Sequence, residues 1–105
     1  MECYKLIVFV PIDYKERVKD ACFNAGAGKL GQYDRCAFEI QGRGQFRAQA
    51  GATPFIGRID QVTVVEEVRV EMVCEKKYMP AILAAMRQAH PYEEPAYDVF
   101  KMEIP

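Results

Sequence analysis

The single histidine of this 105-residue chain lies in the run His90-Pro91-Tyr92-Glu93-Glu94-Pro95-Ala96-Tyr97-Asp98. Imidazole and carboxylate together suit zinc or another divalent metal, so His90, Glu93 and Glu94 are candidate metal ligands, with a neighbouring subunit supplying the rest. The same stretch allows an acid–base reading, with Glu93 or Glu94 as general base and Tyr92 or Tyr97 as donor in a small hydrolase-type enzyme. Against both stands a plainer role, in which His90 ends a helix, where a cation is favourable, and the glutamates are solvated or paired. Adjacent carboxylates alone do not make a catalytic pair, and no Ser-His-Asp signature accompanies them. The expectation is therefore no catalytic residues and no cofactor, with a divalent metal as the alternative. Pro91 and Pro95 fix their own φ and push His90 and Glu94 toward extended backbone, so the run reads as a stiff connector.

The elements around this connector follow from periodicity. Residues 4–10, YKLIVFV, form a β-branched and aromatic strand, apolar nearly throughout and ended by Pro11. Asp13 with Glu16 has the spacing of a capping box, and Tyr14, Val18, Ala21, Cys22 and Ala25 follow at helical intervals up to Gly26, a C′ glycine. Gly26, Gly28 and Gly31 come after a helix, the wrong order for a phosphate-cradling loop, and mark a turn. Residues 33–41 alternate, which predicts a strand burying Cys36, Phe38 and Ile40 and presenting Arg35 and Glu39. Gly42-Arg43-Gly44 then breaks the pattern as a bulge or bend, and residues 45–48 resume it as an extended arm. Residues 49–60 read as a long loop whose Phe55 and Ile56 are too apolar for solvent, which suggests a ligand or subunit interface. Residues 62–75 form a long strand, with a break near Glu66-Glu67, whose Arg69 and Glu71 share the polar parity of Arg35 and Glu39 and could pair with them. Met79, Ile82, Leu83 and Met86 mark a second helix with Pro80 in its first turn, stopped by Pro91. A last strand begins at Tyr97 and ends at Pro105.

Strand, helix, strand, strand, helix, strand predicts an α+β ferredoxin-like βαββαβ plait. One domain over 1–105 holds a four-stranded antiparallel sheet with both helices on one face. The right-handed crossover rule places the first and third strands in the centre. With Leu6, Val8 and Val10 toward the helices, Ile7 and Phe9 fall on the open face. An apolar centre there marks an association surface, so a homo-oligomer, trimer or dimer, is expected.

Composition excludes several classes. Fourteen basic against fifteen acidic residues give a net charge of −1, not the basic excess of a nucleic-acid binder. No apolar stretch approaches the roughly 18 residues of a membrane span, and the N-terminus lacks a signal-peptide pattern, so a cytoplasmic protein is expected. Cys3, Cys22, Cys36 and Cys74 form no CxxC pair and sit in apolar segments, as reduced core thiols do.

Six segments, IVFVP, NAGAGKLGQYDRCAF, GRGQFR, ATPFIG, EEVRVEMV and AAMRQAHPYEEPAYDVF, together resemble the inserted domain of the YqfO-type dinuclear-metal proteins, the NGG-interacting-factor-like family. The resemblance runs from about Tyr4 to Phe100, and HPYEEPAYD is its most specific element. It implies a fold similar to CutA and the PII regulators, which are trimeric plaits, and a free-standing version of that domain. It also implies, as a partner, a separate dinuclear-metal protein of the family. The metal centre of the long members belongs to flanking segments rich in histidine and carboxylate, so its chemistry does not carry over to a chain with one histidine. No PII nucleotide signature maps here either. The apolar centre of the open face, the Phe55-Ile56 loop and the lack of a catalytic set point to a non-catalytic homo-oligomeric binding or regulatory module, with divalent-metal binding at His90–Glu94 as the alternative.

Overall fold

The computed structural model describes residues 2–103. Four strands, β1 (Cys3–Pro11), β2 (Phe38–Arg47), β3 (Val62–Glu75) and β4 (Tyr97–Met102), and two helices, α1 (Lys15–Asn24) and α2 (Met79–Ala89), occur in the order expected for a plait. The sheet order is β2-β3-β1-β4, with every neighbouring pair antiparallel and β3 and β1 central. The expected end of β4 at Ile104 and Pro105 lies outside the described residues.

β1 is apolar on both faces because it is central. Leu6, Val8 and Val10 pack with Val68, Val70, Met72 and Cys74 of β3 against Val18 and Cys22 of α1 and Ile82 and Met86 of α2. Three of the cysteines are buried, and all four are free thiols. Pro80 occupies the first turn of α2, where its missing N–H costs nothing. At the end of α1, the Gly26 N–H donates to the Phe23 carbonyl and the Ala27 N–H to the Cys22 carbonyl, 3.0 Å each. This Schellman closure puts Gly26 at φ +119°, as expected for a C′ glycine.

Several local expectations are corrected. A 3-10 turn over Ile12–Tyr14 precedes α1, so Tyr14 rather than Asp13 is the N-cap, and no side chain caps the helix. β2 starts at Phe38 and runs unbroken through Gly42-Arg43-Gly44, paired to β3 residue by residue from Phe38↔Glu71 to Arg47↔Val62. β3 is likewise continuous through Glu66-Glu67. The alternation around residue 38 was real, but its faces are reversed. Glu39 points to the helices and pairs with Lys15 and Lys19 of α1, while Phe38 and Ile40 lie on the open face, 63% and 46% exposed. An edge strand overhangs the helix layer, where lysine stems and heads serve as cover in place of apolar side chains. Arg69 pairs with Glu71 along its own strand at 3.0 Å, and Arg35, outside the sheet at φ +54°, reaches Asp20 and Asn24. The expected cross-strand pairs of these residues do not form.

β1 pairs with β3 only as far as Pro11↔Glu67, whereas β2 and β3 continue to Arg47↔Val62. The two longer strands therefore project past the body of the sheet as a two-stranded arm. No helix among the described residues is long and apolar enough to cross a membrane.

Candidate functional site

The overhanging arm creates a recess, and two segments close it. Residues 49–60 fold back against the arm through an isolated parallel bridge, Ala48↔Ile59, with the Asp60 N–H donating to the Ala48 carbonyl at 2.7 Å. This turn carries Phe55 onto Tyr14, ring centroids 5.5 Å apart and nearly perpendicular, an edge-to-face contact. Phe55 remains half exposed. The second segment is the connector, residues 90–96, held by β1 at both ends. His90 Nε2 donates to the Phe9 carbonyl at 2.8 Å, and the Phe9 N–H donates to the Ala96 carbonyl at 3.1 Å.

Between these segments lies a cavity of about 700 Å³. Its walls include Phe9 from β1, Ile40 to Arg47 from β2, Glu67 and Arg69 from β3, Phe55 and Ile56 from the loop, and Tyr92 to Glu94 from the connector. Of the residues expected at a site, Phe9, Phe55, Ile56, Tyr92, Glu93 and Glu94 thus come together. Two others do not. Ile7 is on the open face but only 5% exposed, flanked by Glu71 of β3 and Asp98 of β4, so it is already enclosed. Tyr97 aligns with Val8 on the helix face, where Arg87 of α2 donates to its hydroxyl and stacks over its ring.

His90 is buried and does not line the cavity. The Tyr92 N–H donates to its Nδ1 at 3.1 Å, which places the ring proton on Nε2, facing the Phe9 carbonyl. Burial holds the imidazole below its ordinary pKa, opposed by the Phe9 carbonyl and the Glu67 charge. Both nitrogens are therefore committed within the chain. Glu93 accepts from the Thr53 N–H at 3.0 Å and Glu94 lines the cavity, so the three expected metal ligands do not converge within one chain. Among the described residues no group of three or more His, Cys, Asp or Glu side chains could hold a metal ion. The helix-capping alternative for His90 is also modified. It is the C-cap of α2, but in extended backbone and held neutral by burial.

Tyr92 is the residue that joins connector to arm. Its hydroxyl donates to Glu67 Oε2 at 2.8 Å, and its ring lies 5.0 Å from that of His90 and 6.2 Å from that of Phe46. Burial, then the Glu67 carboxylate, push the phenol above its usual range, so it donates a hydrogen bond and does not ionise. Sequence reasoning missed Glu67, Phe46 and the two glycines of the floor. A Cβ on Gly44 would stand 2.0 Å from Glu67 Oε1, whereas one on Gly42 would meet nothing within 4 Å. Gly44 makes room for the Glu67–Tyr92 bond; Gly42 leaves the cavity open. The available signal was the Gly-Arg-Gly spacing, which puts both glycines on one strand face.

Known proteins extend this picture. Over 99 residues, 94% of its length, the chain is 48% identical to the GTP cyclohydrolase 1 type 2 homolog of Bacillus subtilis. It superposes with a TM-score of 0.85 and 40% identity on a Bacillus cereus protein related to NIF3, covering 98% of this chain. The family link expected from the motifs holds. It holds for a segment, because the chain spans 26% of the length of each of these relatives. CutA1 from Shewanella sp. SIB1, 17% identical with a TM-score of 0.72, covers 99% of the chain and 84% of its own, which shows a shared fold. No family model matches the chain.

Proposed function

We propose that this chain is a non-catalytic binding module that works as a homo-oligomer and takes its ligand in the cavity between arm, loop and connector. The observation that carries the reading is the cavity itself. It is of small-molecule size, and its lining combines Phe9, Ile40, Phe46, Phe55 and Tyr92 with three arginines and three glutamates. The chemistry available around it favours holding over reacting. Tyr92 is tied to Glu67 with its proton retained, and His90 spends both nitrogens on the backbone. Burial pushes the Cys22 thiol up to about 12 and the Cys74 thiol up to about 11, so neither is a thiolate at neutral pH. Among the described residues no buried side-chain nitrogen or oxygen lacks a partner, as a group waiting for a substrate often does. The enzyme name of the relatives belongs to proteins of which this segment is about a quarter. Oligomerisation is supported by Phe38, Ile40 and Phe100, all exposed on the sheet face that no helix covers.

Native mass spectrometry of untagged protein, purified without chelators, tests the reading. The expected result is a homo-oligomer that retains a small molecule, or takes one up from a metabolite mixture, with loss of binding when the cavity is filled. A monomer that binds nothing at high concentration would overturn it.

A further inference from the structure

The connector has an unequal pattern of attachment. Its two ends are fastened to the same central-strand residue, His90 and Ala96 to the carbonyl and N–H of Phe9. Its middle is fastened elsewhere, Tyr92 to Glu67 of β3 and Glu93 to the Thr53 N–H of the loop. The His90 end is buried and the Ala96 end is exposed, as are Glu93 and Thr53 in the middle. Pro91 and Pro95 stand just inside the two anchors and restrict φ there, which narrows the conformations open to the run between them. All three of Tyr92, Glu93 and Glu94 line the cavity.

We propose that residues 91–95 are a strap that gates the cavity, opening as one unit by release of the Tyr92–Glu67 and Glu93–Thr53 hydrogen bonds and of the Tyr92 N–H from His90 Nδ1, while its ends stay pinned to Phe9. This rests on the cavity being the binding site and adds how a ligand enters it. Opening withdraws the Tyr92 ring from Phe46 and exposes the Glu67 carboxylate as an acceptor on the wall. Hinge positions fall at the anchors, and α2 and β4 are not disturbed. Such an element belongs to the low-stability part of a fold, where few buried contacts oppose opening.

Amide exchange by NMR on the ligand-free protein tests the gate. The Tyr92 and Thr53 amides report the middle of the strap; the Phe9 and His90 amides report its anchors and the end of α2. Tyr92→Phe removes one bond to a charged acceptor, and both middle amides should exchange at least about tenfold faster, with the anchor amides unchanged. Glu67→Gln keeps an acceptor without the charge and should accelerate the same two amides by less. The proposal is overturned if Tyr92→Phe leaves the Thr53 amide unchanged, since the two bonds then open independently. It is equally overturned if the Phe9 and His90 amides accelerate in step, since the end of the sheet then opens as a whole. No ligand enters this experiment, so failure of the gate is read separately from failure of the binding reading, which native mass spectrometry decides.

Discussion

Acidification should destabilise this protein well before its carboxylates titrate, and His90 should be the cause. In the fold Nε2 donates to the Phe9 carbonyl and Nδ1 accepts from the Tyr92 N–H. A second proton would have to sit on Nδ1, where it faces another donor. Burial acts in the same direction, and the folded pKa lies below the ordinary imidazole value. With a depressed folded pKa, the stability is fully present above the unfolded value, near ~6.5, and is lost as the pH falls toward the folded value. Each pH unit in which only the unfolded chain carries the proton removes about 1.4 kcal/mol. The chain has one histidine, and ordinary carboxylates titrate near ~4, so the window between about pH 6.5 and 5 isolates this residue. Urea unfolding at several pH values, together with an NMR titration of His90, measures the effect. His90→Gln supplies an amide donor and an amide acceptor without a titrating group, and should flatten the profile across that window. Stability that rises on acidification, or a variant with the same slope as the parent, would refute the account.

Three further outcomes follow from the same geometry. Gly42→Phe enters open space on the cavity floor and should leave the melting temperature nearly unchanged while abolishing ligand retention in native mass spectrometry. Gly44→Ala should displace Glu67 and break its bond to Tyr92, costing about 1–3 kcal/mol in urea unfolding, whereas the same change at Gly42 should cost little. Ile82→Ala, at a fully buried position between α2 and the sheet, should cost about 2–5 kcal/mol without altering exchange at the strap.

The plait was legible because its signals are local and agree with one another. The two helical stripes, the Gly26 closure, the Pro80 start and the strand order each point to the same layers, and the crossover rule leaves one arrangement of four strands. What could not be read was the covered face of β2. Period two says that Phe38 and Glu39 face opposite ways, but not which side meets a helix, and apolar residues inside is the wrong guide at an overhanging edge. There Glu39 is satisfied by Lys15 and Lys19, and Phe38 is left outside. The same gap hid the bond that closes the site.

His90-Pro91-Tyr92-Glu93-Glu94-Pro95 is conspicuous for its residue types, and metal or acid–base chemistry is what those types suggest in isolation. Their actual use depends on partners far along the chain. Phe9 lies 81 residues from His90 and Glu67 lies 25 from Tyr92, and neither is marked as polar machinery by its own neighbours. Phe9 serves through its backbone, which any residue possesses, and Glu67 looked like a break in a strand. Only the β1–β3 register, which sets Pro11 opposite Glu67 where β1 stops, brings both to the mouth of one recess. The stiffness of the connector was thus readable from its prolines, but its purpose resides in the difference in length between β1 and its neighbours. A strand shorter by five pairs than the arm beside it leaves a gap, and a proline-bounded strap pinned to the last residues of that strand is what spans it.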